Sequence, residues 1–246
     1  MPEWTDGALI VGIKKFAERD AVLSFLTQNH GRHSGLVKGV FSKRHAGDFQ
    51  IGNLVQISWK ARLEEHLGTV KAELLTAYAV KVLDDPARLT ALSCLCAMCS
   101  LLPERENVPD FFEKTLEQIA LLPFDGWAAR YALWETALLK ALGFGLDLSA
   151  CAVTGETEDL IYVSPRSGRA VSRHAGEPWR DKLLELPAFL RNGKDELDSG
   201  EIKKALKLTG FFLENHVLKT LDCTIPAVRS RLISTLNDSG STKIRV

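Results

Sequence analysis

Ala8-Leu-Ile-Val-Gly-Ile13 decides the fold class, because it opens a series of short runs rich in β-branched and aromatic residues. Such runs predict strands when turn residues separate them, and Gly31 supplies one such turn. Five strands within about 70 residues predict a small closed barrel, since closure removes exposed sheet edges. The four further predicted strands are Val22–Thr27, His33–Lys38, Leu54–Lys60 and Leu67–Ala72.

After Tyr78 the spacing of apolar residues changes from two to about 3.6, which predicts helices. Asp85-Pro86 is typical of an N-cap followed by proline at the first helical position, and that helix extends to Leu102. Further helices are predicted over 109–122, 126–142 and 226–237, and after Asp198, whose spacing to Glu201 fits a capping box. The residues from 238 to 246 are expected to be a frayed tail.

The fold class is therefore α+β. We expect a five-stranded OB-fold domain over residues 1–80 and a mainly helical domain over residues 81–246. Within the helical domain, residues 143–187 form a loop-rich stretch with a short extended piece at 160–163.

Composition excludes several classes of protein. Apolar residues make up 46% of the 246-residue chain and charged residues 25%, as in globular proteins. No apolar run reaches the roughly 20 residues that span a bilayer, and the N-terminus lacks the features of a secretory signal. We therefore expect a cytoplasmic protein without a membrane partner. The five cysteines lack framework spacing, which argues against structural disulfides.

Charge is distributed unevenly although the formal net charge is zero. Between Asn29 and Leu63 there are six cations and one anion, Asp48. Such a local excess attracts a phosphate backbone. The six cations are Arg32, Lys38, Lys43, Arg44, Lys60 and Arg62.

Four segments resemble the RecO family over nearly the whole chain. Residues 10–27 are similar to the family's first two strands, and His30-Gly-Arg-His-Ser-Gly-Leu-Val-Lys-Gly39 is similar to its next strand. Leu138-Leu-Lys-Ala-Leu-Gly-Phe-Gly-Leu-Asp-Leu148 resembles the family's helix-exit segment, and residues 162–171 resemble the hairpin that follows. No single segment is specific, but their order and spacing together carry the resemblance.

This resemblance implies a mediator of DNA repair and recombination that is not an enzyme. RecO-like proteins bind single- and double-stranded DNA, anneal complementary strands and engage the tail of single-strand-binding protein. With RecR they help RecA to replace single-strand-binding protein, so the location implied is the cytoplasm, associated with the nucleoid.

The candidate DNA-binding residues lie in the first domain. OB barrels use cations to follow phosphates and aromatic rings to stack on bases. The alternative interpretation of the same cations is a solvated face, and Trp59 fits either a platform or the core. Lys14, Lys15 and Arg19 extend the patch if Glu18 and Asp20 leave it attractive. The full candidate set is Arg32, His33, Lys38, Phe41, Lys43, Arg44, Lys60 and Arg62.

Metal binding is not expected. Many family members carry a four-cysteine zinc site, but here Cys151 is followed by Thr154 at the second position. The later pair is absent, leaving only His174, and a structural zinc site needs four donors. We therefore predict a degenerate, metal-free zinc-finger-like loop at about 147–180, anchored by Tyr162 and Trp179, and no cofactor. Cys94, Cys96 and Cys99 are expected in a helix core.

A partner site is predicted on the helical domain. Phenylalanine-containing acidic tails bind apolar grooves edged with cations, and the candidate residues are Phe211, Phe212, Arg229 and Arg231, although both rings also fit the core. Two other functions stay open at this point. One is a protein–protein adaptor with a structural barrel and no DNA binding. The other is a small hydrolase that uses Cys151 or a carboxylate.

Overall fold

A computed structural model describes residues 1–45, 47–192 and 199–238. By its internal contacts the chain divides into two compact units, residues 1–123 and 124–246. The first unit contains strands β1 (Glu3–Lys15), β2 (Ala21–Thr27), β3 (Arg32–Val37), β4 (Leu54–Lys60) and β5 (Thr69–Thr76), followed by helices α1 (Pro86–Cys99) and α2 (Phe111–Leu121). Because α1 and α2 belong to this unit, it extends beyond the change of sequence period near residue 80.

The five strands form a closed barrel in the order β1-β2-β3-β5-β4. Every pairing is antiparallel except that of β3 with β5, which is parallel and involves only Leu36 with Thr69 and Val37 with Val70. The OB barrel predicted from the sequence is confirmed. Alternate residues point inward, and the core includes Phe25, Ile57 and Trp59.

Two short helical turns complete the barrel unit, at Lys43–His45 and Ala79–Val82. Helix α1 begins as predicted, since the Asp85 carboxylate accepts hydrogen bonds from the backbone N–H groups of Ala87 and Arg88. It packs on β1, where the Cys96 thiol donates to Ile10 O at 3.8 Å. Cys94, Cys96 and Cys99 are all buried, as expected, and burial raises the pKa of the last two thiols.

The second unit contains a small sheet and six helices in its described residues. Its strands are β6 (Leu160–Val163), β7 (Ala170–Ser172) and β8 (Leu184–Glu185), with β6 in the centre. Its helices are α3 (Trp127–Ala141), α4 (Arg173–Gly176), α5 (Phe189–Asn192), α6 (Ser199–Phe212), α7 (Leu218–Leu221) and α8 (Ala227–Asp238). A π-helical turn, Leu213–Val217, joins α6 to α7, and a 3₁₀ helix covers Glu177–Lys182.

Packing in the second unit is centred on α3, α6 and α8. Leu138 of α3, Leu206 of α6 and Leu232 of α8 are all buried. The predicted helices at 126–142 and 226–237 are confirmed, and Gly143 follows α3 with a φ of 84°. The predicted capping residue Asp198 and the predicted tail at 239–246 lie outside the described residues. None of the described helices is long and apolar enough to span a membrane.

Candidate nucleic-acid interface

Three lysines, two on strands and one directly after a strand, line one groove on the barrel. Lys38 directly follows β3, Lys60 ends β4 and Lys71 lies on β5, and the groove that they share has a volume of ≈ 650 Å³. Its apolar lining includes Val37 and Phe49. We call this feature the basic groove. Val37 and Phe49 belong to the barrel core, so the groove offers a strand mainly the positive charge that follows its phosphates.

The groove continues along the β4–β5 loop, residues 61–68. A second depression of ≈ 420 Å³ is lined by Lys60, Arg62 and His66. Lys60 and Thr69 line both depressions. The fold therefore places Lys38 in the same groove as Lys60, 22 positions further along the chain, and Lys60 beside Arg62 in the adjoining depression.

The charges of the basic groove are largely available. Within the described ranges Lys38, Arg62 and Lys71 form no ion pair, whereas Lys60 Nζ lies 3.3 Å from Glu3 Oε2. Both partners of that pair are about half exposed, so the pair contributes little and competes weakly with a phosphate. Glu73 lies on the same strand face as Lys71 and reduces the potential at that end of the groove.

Two exposed aromatic rings lie beside the turn between β1 and β2. Phe16 is 65% exposed and Phe41 is 47% exposed. The backbone N–H of Phe41 donates to Arg19 O, and Lys15 Nζ lies 6.0 Å from the centre of the Phe41 ring. We call Phe16, Phe41, Lys15 and Arg19 the aromatic tip.

One segment of the chain joins the aromatic tip to the basic groove. It runs from Lys38, in the groove, through Phe41, in the tip, to His45, which lines the groove again. Lys43 and Arg44 lie in the helical turn of this segment, and both are exposed. Neither forms an ion pair among the residues described. Six of the eight sequence candidates thus lie along the groove, its adjoining depression or this segment: Lys38, Phe41, Lys43, Arg44, Lys60 and Arg62.

Arg32 and His33 line neither of the two depressions, and their role in DNA binding stays a prediction. Arg32 Nε donates to Leu102 O at 2.8 Å, and its guanidinium is paired with Glu104 at 3.2 Å. His33 is only 8% exposed and packs against the rings of Trp4 and Trp59. Burial, with a smaller effect from the positive charge of Arg105, lowers the pKa of His33 to about 4, so the ring is neutral at pH 7.

Trp59 belongs to the core, because it is 1% exposed. Its indole N–H donates to the carbonyls of Ser34 and Leu67, both at 3.2 Å. It therefore fastens the β4–β5 loop to β3 and offers no stacking surface.

Sequence reasoning missed Lys71 and Phe16. Lys71 lies outside the window in which the cations were counted, although the alternation Thr69, Lys71, Glu73 on β5 indicates an outward-facing row. Phe16 stands between two strands, where an apolar residue has no core to enter. Its place in a turn between two predicted strands therefore indicates an exposed ring from the sequence alone.

The four predicted partner residues differ in burial and in contacts within the second unit. Phe212 is 3% exposed, and Arg229 is 4% exposed and paired with buried Glu135 at 2.7 Å, so both side chains present little surface and their role in partner binding stays a prediction. Arg231 is exposed on α8. Phe211 is half-buried and lines a depression of ≈ 370 Å³ with Leu184, Lys203, Leu206 and Lys207. We call this depression the α6 groove.

The loop at 147–180 has an ordered centre. Ser172 N–H donates to Cys151 Sγ at 3.3 Å. Burial alone raises the pKa of this thiol, but hydrogen bonds from Ser172 and Thr154 outweigh it and lower the pKa to about 6. Tyr162 packs over Gly176, but Trp179 is 58% exposed and is not an anchor, which corrects the prediction. In the part of the chain that the structure describes, no three His, Cys, Asp or Glu side chains are placed to hold a metal ion.

The fold defines an OB-barrel protein with an additional, mainly helical unit. The family model "Recombination protein O N terminal" matches residues 1–78, and "Recombination protein O C terminal" matches residues 83–222. The chain belongs to the RecO family of DNA repair and recombination proteins.

Curated relatives agree with this assignment over almost the whole chain. The DNA repair protein RecO of Rhodospirillum rubrum is 46% identical over 244 residues, which cover 96% of this chain and 97% of the relative. The DNA repair proteins RecO of Rhodospirillum centenum and Mesorhizobium japonicum are 44% and 42% identical over 243 residues, covering 98% of this chain in both cases and 97% and 96% of the relatives.

Proposed function

We propose that this protein is a non-enzymatic recombination mediator that binds single-stranded DNA along the basic groove and the aromatic tip. The observation that carries the proposal is that the segment from Lys38 to His45 joins exposed rings to cations that form no ion pair with any other described residue. Cations follow the phosphates, and rings stack on unpaired bases. Double-stranded DNA offers the same phosphates without exposed base faces, so its binding relies on the cations alone.

Annealing follows from the same surface. A strand held by its backbone in an open groove keeps its base edges accessible to a complementary strand, and neutralised phosphates reduce repulsion between strands. The mediator role adds RecR as a partner and the loading of RecA on DNA covered by single-strand-binding protein. The protein then acts in the cytoplasm, at the nucleoid.

Salt-dependent binding tests the DNA proposal. Fluorescent oligothymidylate is titrated at several salt concentrations with the wild type and with a variant in which Lys38, Lys60, Arg62 and Lys71 are changed to Gln. Each lost phosphate contact should reduce the salt slope by about 0.7, so the full variant should lose up to about 2.8 units of slope. The matched control is Lys81→Gln with Lys114→Gln, two exposed lysines of the same unit outside the groove.

The same titration separates DNA binding from a pure adaptor role. An adaptor with a structural barrel shows no salt-dependent binding in the wild type. Equal slopes for the groove variant and the wild type would show that the DNA lies elsewhere. Phe16→Ala with Phe41→Ala should weaken binding by about 1–3 kcal/mol per stacked base at an unchanged salt slope.

A second binding function is favoured by the α6 groove. Its apolar floor is formed by Leu184, Leu206 and Phe211, and Lys203 and Lys207 stand at its edge without an ion pair among the described residues. This combination suits an acidic tail that ends in an apolar side chain, the chemistry of the tail of single-strand-binding protein. Of the four residues that the sequence indicated, Phe211 and Arg229 line this groove, together with one acidic residue, Glu214.

A labelled tail peptide tests this second function. Lys203→Glu with Lys207→Glu should abolish its binding, whereas Lys219→Glu, on the neighbouring α7, should not change it. Arg231→Glu tests the remaining predicted residue. Full binding by the lysine variant would refute the α6 groove as the site.

A further inference from the structure

The barrel has an incomplete seam beside the proposed DNA surface. Strand β5 pairs with β3 only at Leu36 and Val37, so the first four residues of β3 have no partner strand on that side. The carbonyl groups of Arg32 and Ser34 are nevertheless occupied. Arg105 N–H donates to the first at 2.8 Å, and the Trp59 indole donates to the second at 3.2 Å.

A segment from outside the barrel fills this seam. Residues 102–106, which we call the strap, follow α1, and Glu104 forms a parallel β-bridge with Arg32. Arg32 also holds the strap through Leu102 O and the Glu104 carboxylate. At Gly31, which has a φ of 67°, a Cβ atom would lie 2.1 Å from Glu106 O, so the backbones are in direct contact.

Arg105 links the strap to the β4–β5 loop. Its guanidinium donates from Nη2 to Glu65 O at 2.9 Å and to His66 O at 3.3 Å. Its backbone has a φ of 62°, a left-handed conformation that is unfavourable for a residue with a side chain. The backbone bond to Arg32 O and the two side-chain bonds together hold this conformation.

The loop that Arg105 holds is the loop that carries Arg62. Inside the barrel, Trp59 donates to Leu67 O, and outside it Arg105 donates to the two preceding carbonyls. Within the loop, the backbone adds one hydrogen bond, from His66 N–H to Leu63 O at 3.2 Å. Backbone hydrogen bonds hold the two ends of the loop, from Ala61 N–H to Pro2 O at 3.2 Å and from Leu36 N–H to Gly68 O at 3.0 Å. Between these ends, the carbonyls of Glu65, His66 and Leu67 accept hydrogen bonds from the side chains of Arg105 and Trp59, and Arg105 belongs to a distant segment.

We infer that Arg105 is a positioning residue for DNA binding, which fixes the β4–β5 loop so that Lys60 and Arg62 line one continuous groove before the strand arrives. This inference rests on the proposed function. A loop ordered in advance loses less conformational entropy on binding. Arg105 is itself exposed, so the competing explanation is a direct phosphate contact by its guanidinium.

Hydrogen–deuterium exchange of the free protein tests the positioning role without DNA. The variant Arg105→Asn keeps a residue type that tolerates positive φ but removes the guanidinium. Exchange of the amides of residues 61–68 should become several-fold faster in this variant. It should stay unchanged in the control Arg62→Gln, whose side chain lies on the loop and forms no hydrogen bond or ion pair within residues 1–45, 47–192 and 199–238. Unchanged exchange in Arg105→Asn would overturn the inference.

Binding then separates positioning from direct contact. Arg105→Asn should raise the dissociation constant for oligothymidylate about tenfold, the effect of losing hydrogen bonds from a charged donor. In an Arg62→Gln background the same change should have a much smaller effect, because residues that act as a unit are not additive. If the double variant raises the dissociation constant by the product of the two single effects, Arg105 contacts the DNA directly and the positioning role is refuted. Absence of salt-dependent binding by the wild type would refute the proposed function alone, since the exchange result does not depend on DNA.

Discussion

The buried ion pair between Arg229 and Glu135 gives the strongest stability prediction for the second unit. The Glu135 side chain is fully buried, and its carboxylate accepts hydrogen bonds from Arg229 Nε at 2.7 Å, from Arg229 Nη2 at 2.8 Å and from Tyr131 Oη at 2.8 Å. The Thr209 hydroxyl also donates to it. Changing Arg229 to Met keeps most of the side-chain volume but leaves the carboxylate without a cation.

The size of the expected loss of stability follows from the burial of both Arg229 and Glu135. Removing one partner of a buried, hydrogen-bonded pair costs about 3–5 kcal/mol, because the remaining charge is neither solvated nor neutralised. Arg229 Nη2 also donates to Leu206 O at 2.8 Å, so α6 loses a contact as well. Urea unfolding followed by far-ultraviolet circular dichroism should show this loss. It is a large part of the roughly 5–15 kcal/mol by which proteins are stable.

Two further variants test the reasoning. Arg231→Met changes an exposed arginine on the same helix and should cost less than about 0.5 kcal/mol. The double change Glu135→Leu with Arg229→Met removes both charges and should recover most of the lost stability. A cost below about 1 kcal/mol for Arg229→Met alone, or no recovery in the double variant, would refute the claim that an unpaired buried carboxylate causes the loss.

Three further predictions concern single residues. The pKa of His33 is lowered to about 4 in the folded state, so the unfolded state binds the proton first as the pH falls below 6.5. The free energy of unfolding, measured in urea titrations, should therefore fall by about 2 kcal/mol between pH 7 and pH 5. His33→Phe should remove this part of its pH dependence. In a thiol titration of the native protein only exposed Cys223 should react rapidly, whereas Cys151 should react slowly despite its lowered pKa because it is 2% exposed; rapid reaction of two thiols would contradict this. Gly31→Ala should destabilise the barrel unit by more than about 1–2 kcal/mol in thermal unfolding, since the added Cβ meets Glu106 O and φ is positive.

Most of the fold was predictable because its signals are local. Strand alternation, the Asp85-Pro86 helix start and the glycine after α3 all act within a few residues, and each prediction was confirmed. Two features were not local. The strap joins residues about 70 positions apart, and its Arg32–Glu104 pair has no sequence pattern. Helices α1 and α2 carry a helical period, but the period does not say which unit they pack with.

The candidate site was predictable only in part, because residue type does not reveal what a side chain contacts. Arg32 and Lys38 look alike in the sequence, yet one is fastened to the strap and the other lines the basic groove. The same holds for Arg229 and Arg231, which lie two residues apart on one helix: Arg229 is buried and Arg231 is exposed. The cations counted from the sequence lie between residues 29 and 63, whereas Lys71 joins the basic groove because the register of β4 with β5 places it opposite Ser58.

The neutral total charge of the chain does not argue against DNA binding, because charges cancel only over short distances. At physiological salt, exposed charges more than about 8 Å apart are largely screened from each other. In the second unit many cations have acidic partners within about 3.3 Å, such as Arg169 with Asp147, Arg173 with Asp159 and Lys204 with Glu185. On the barrel only Arg32 and Lys60, of the six cations counted from the sequence, form ion pairs within the described residues. At the basic groove Glu3 pairs with Lys60 and Glu73 lies near Lys71, but Lys38, Arg62 and Lys71 form no ion pair among the described residues. A phosphate there therefore meets a local excess of positive charge, which is the physical condition that the proposed function requires.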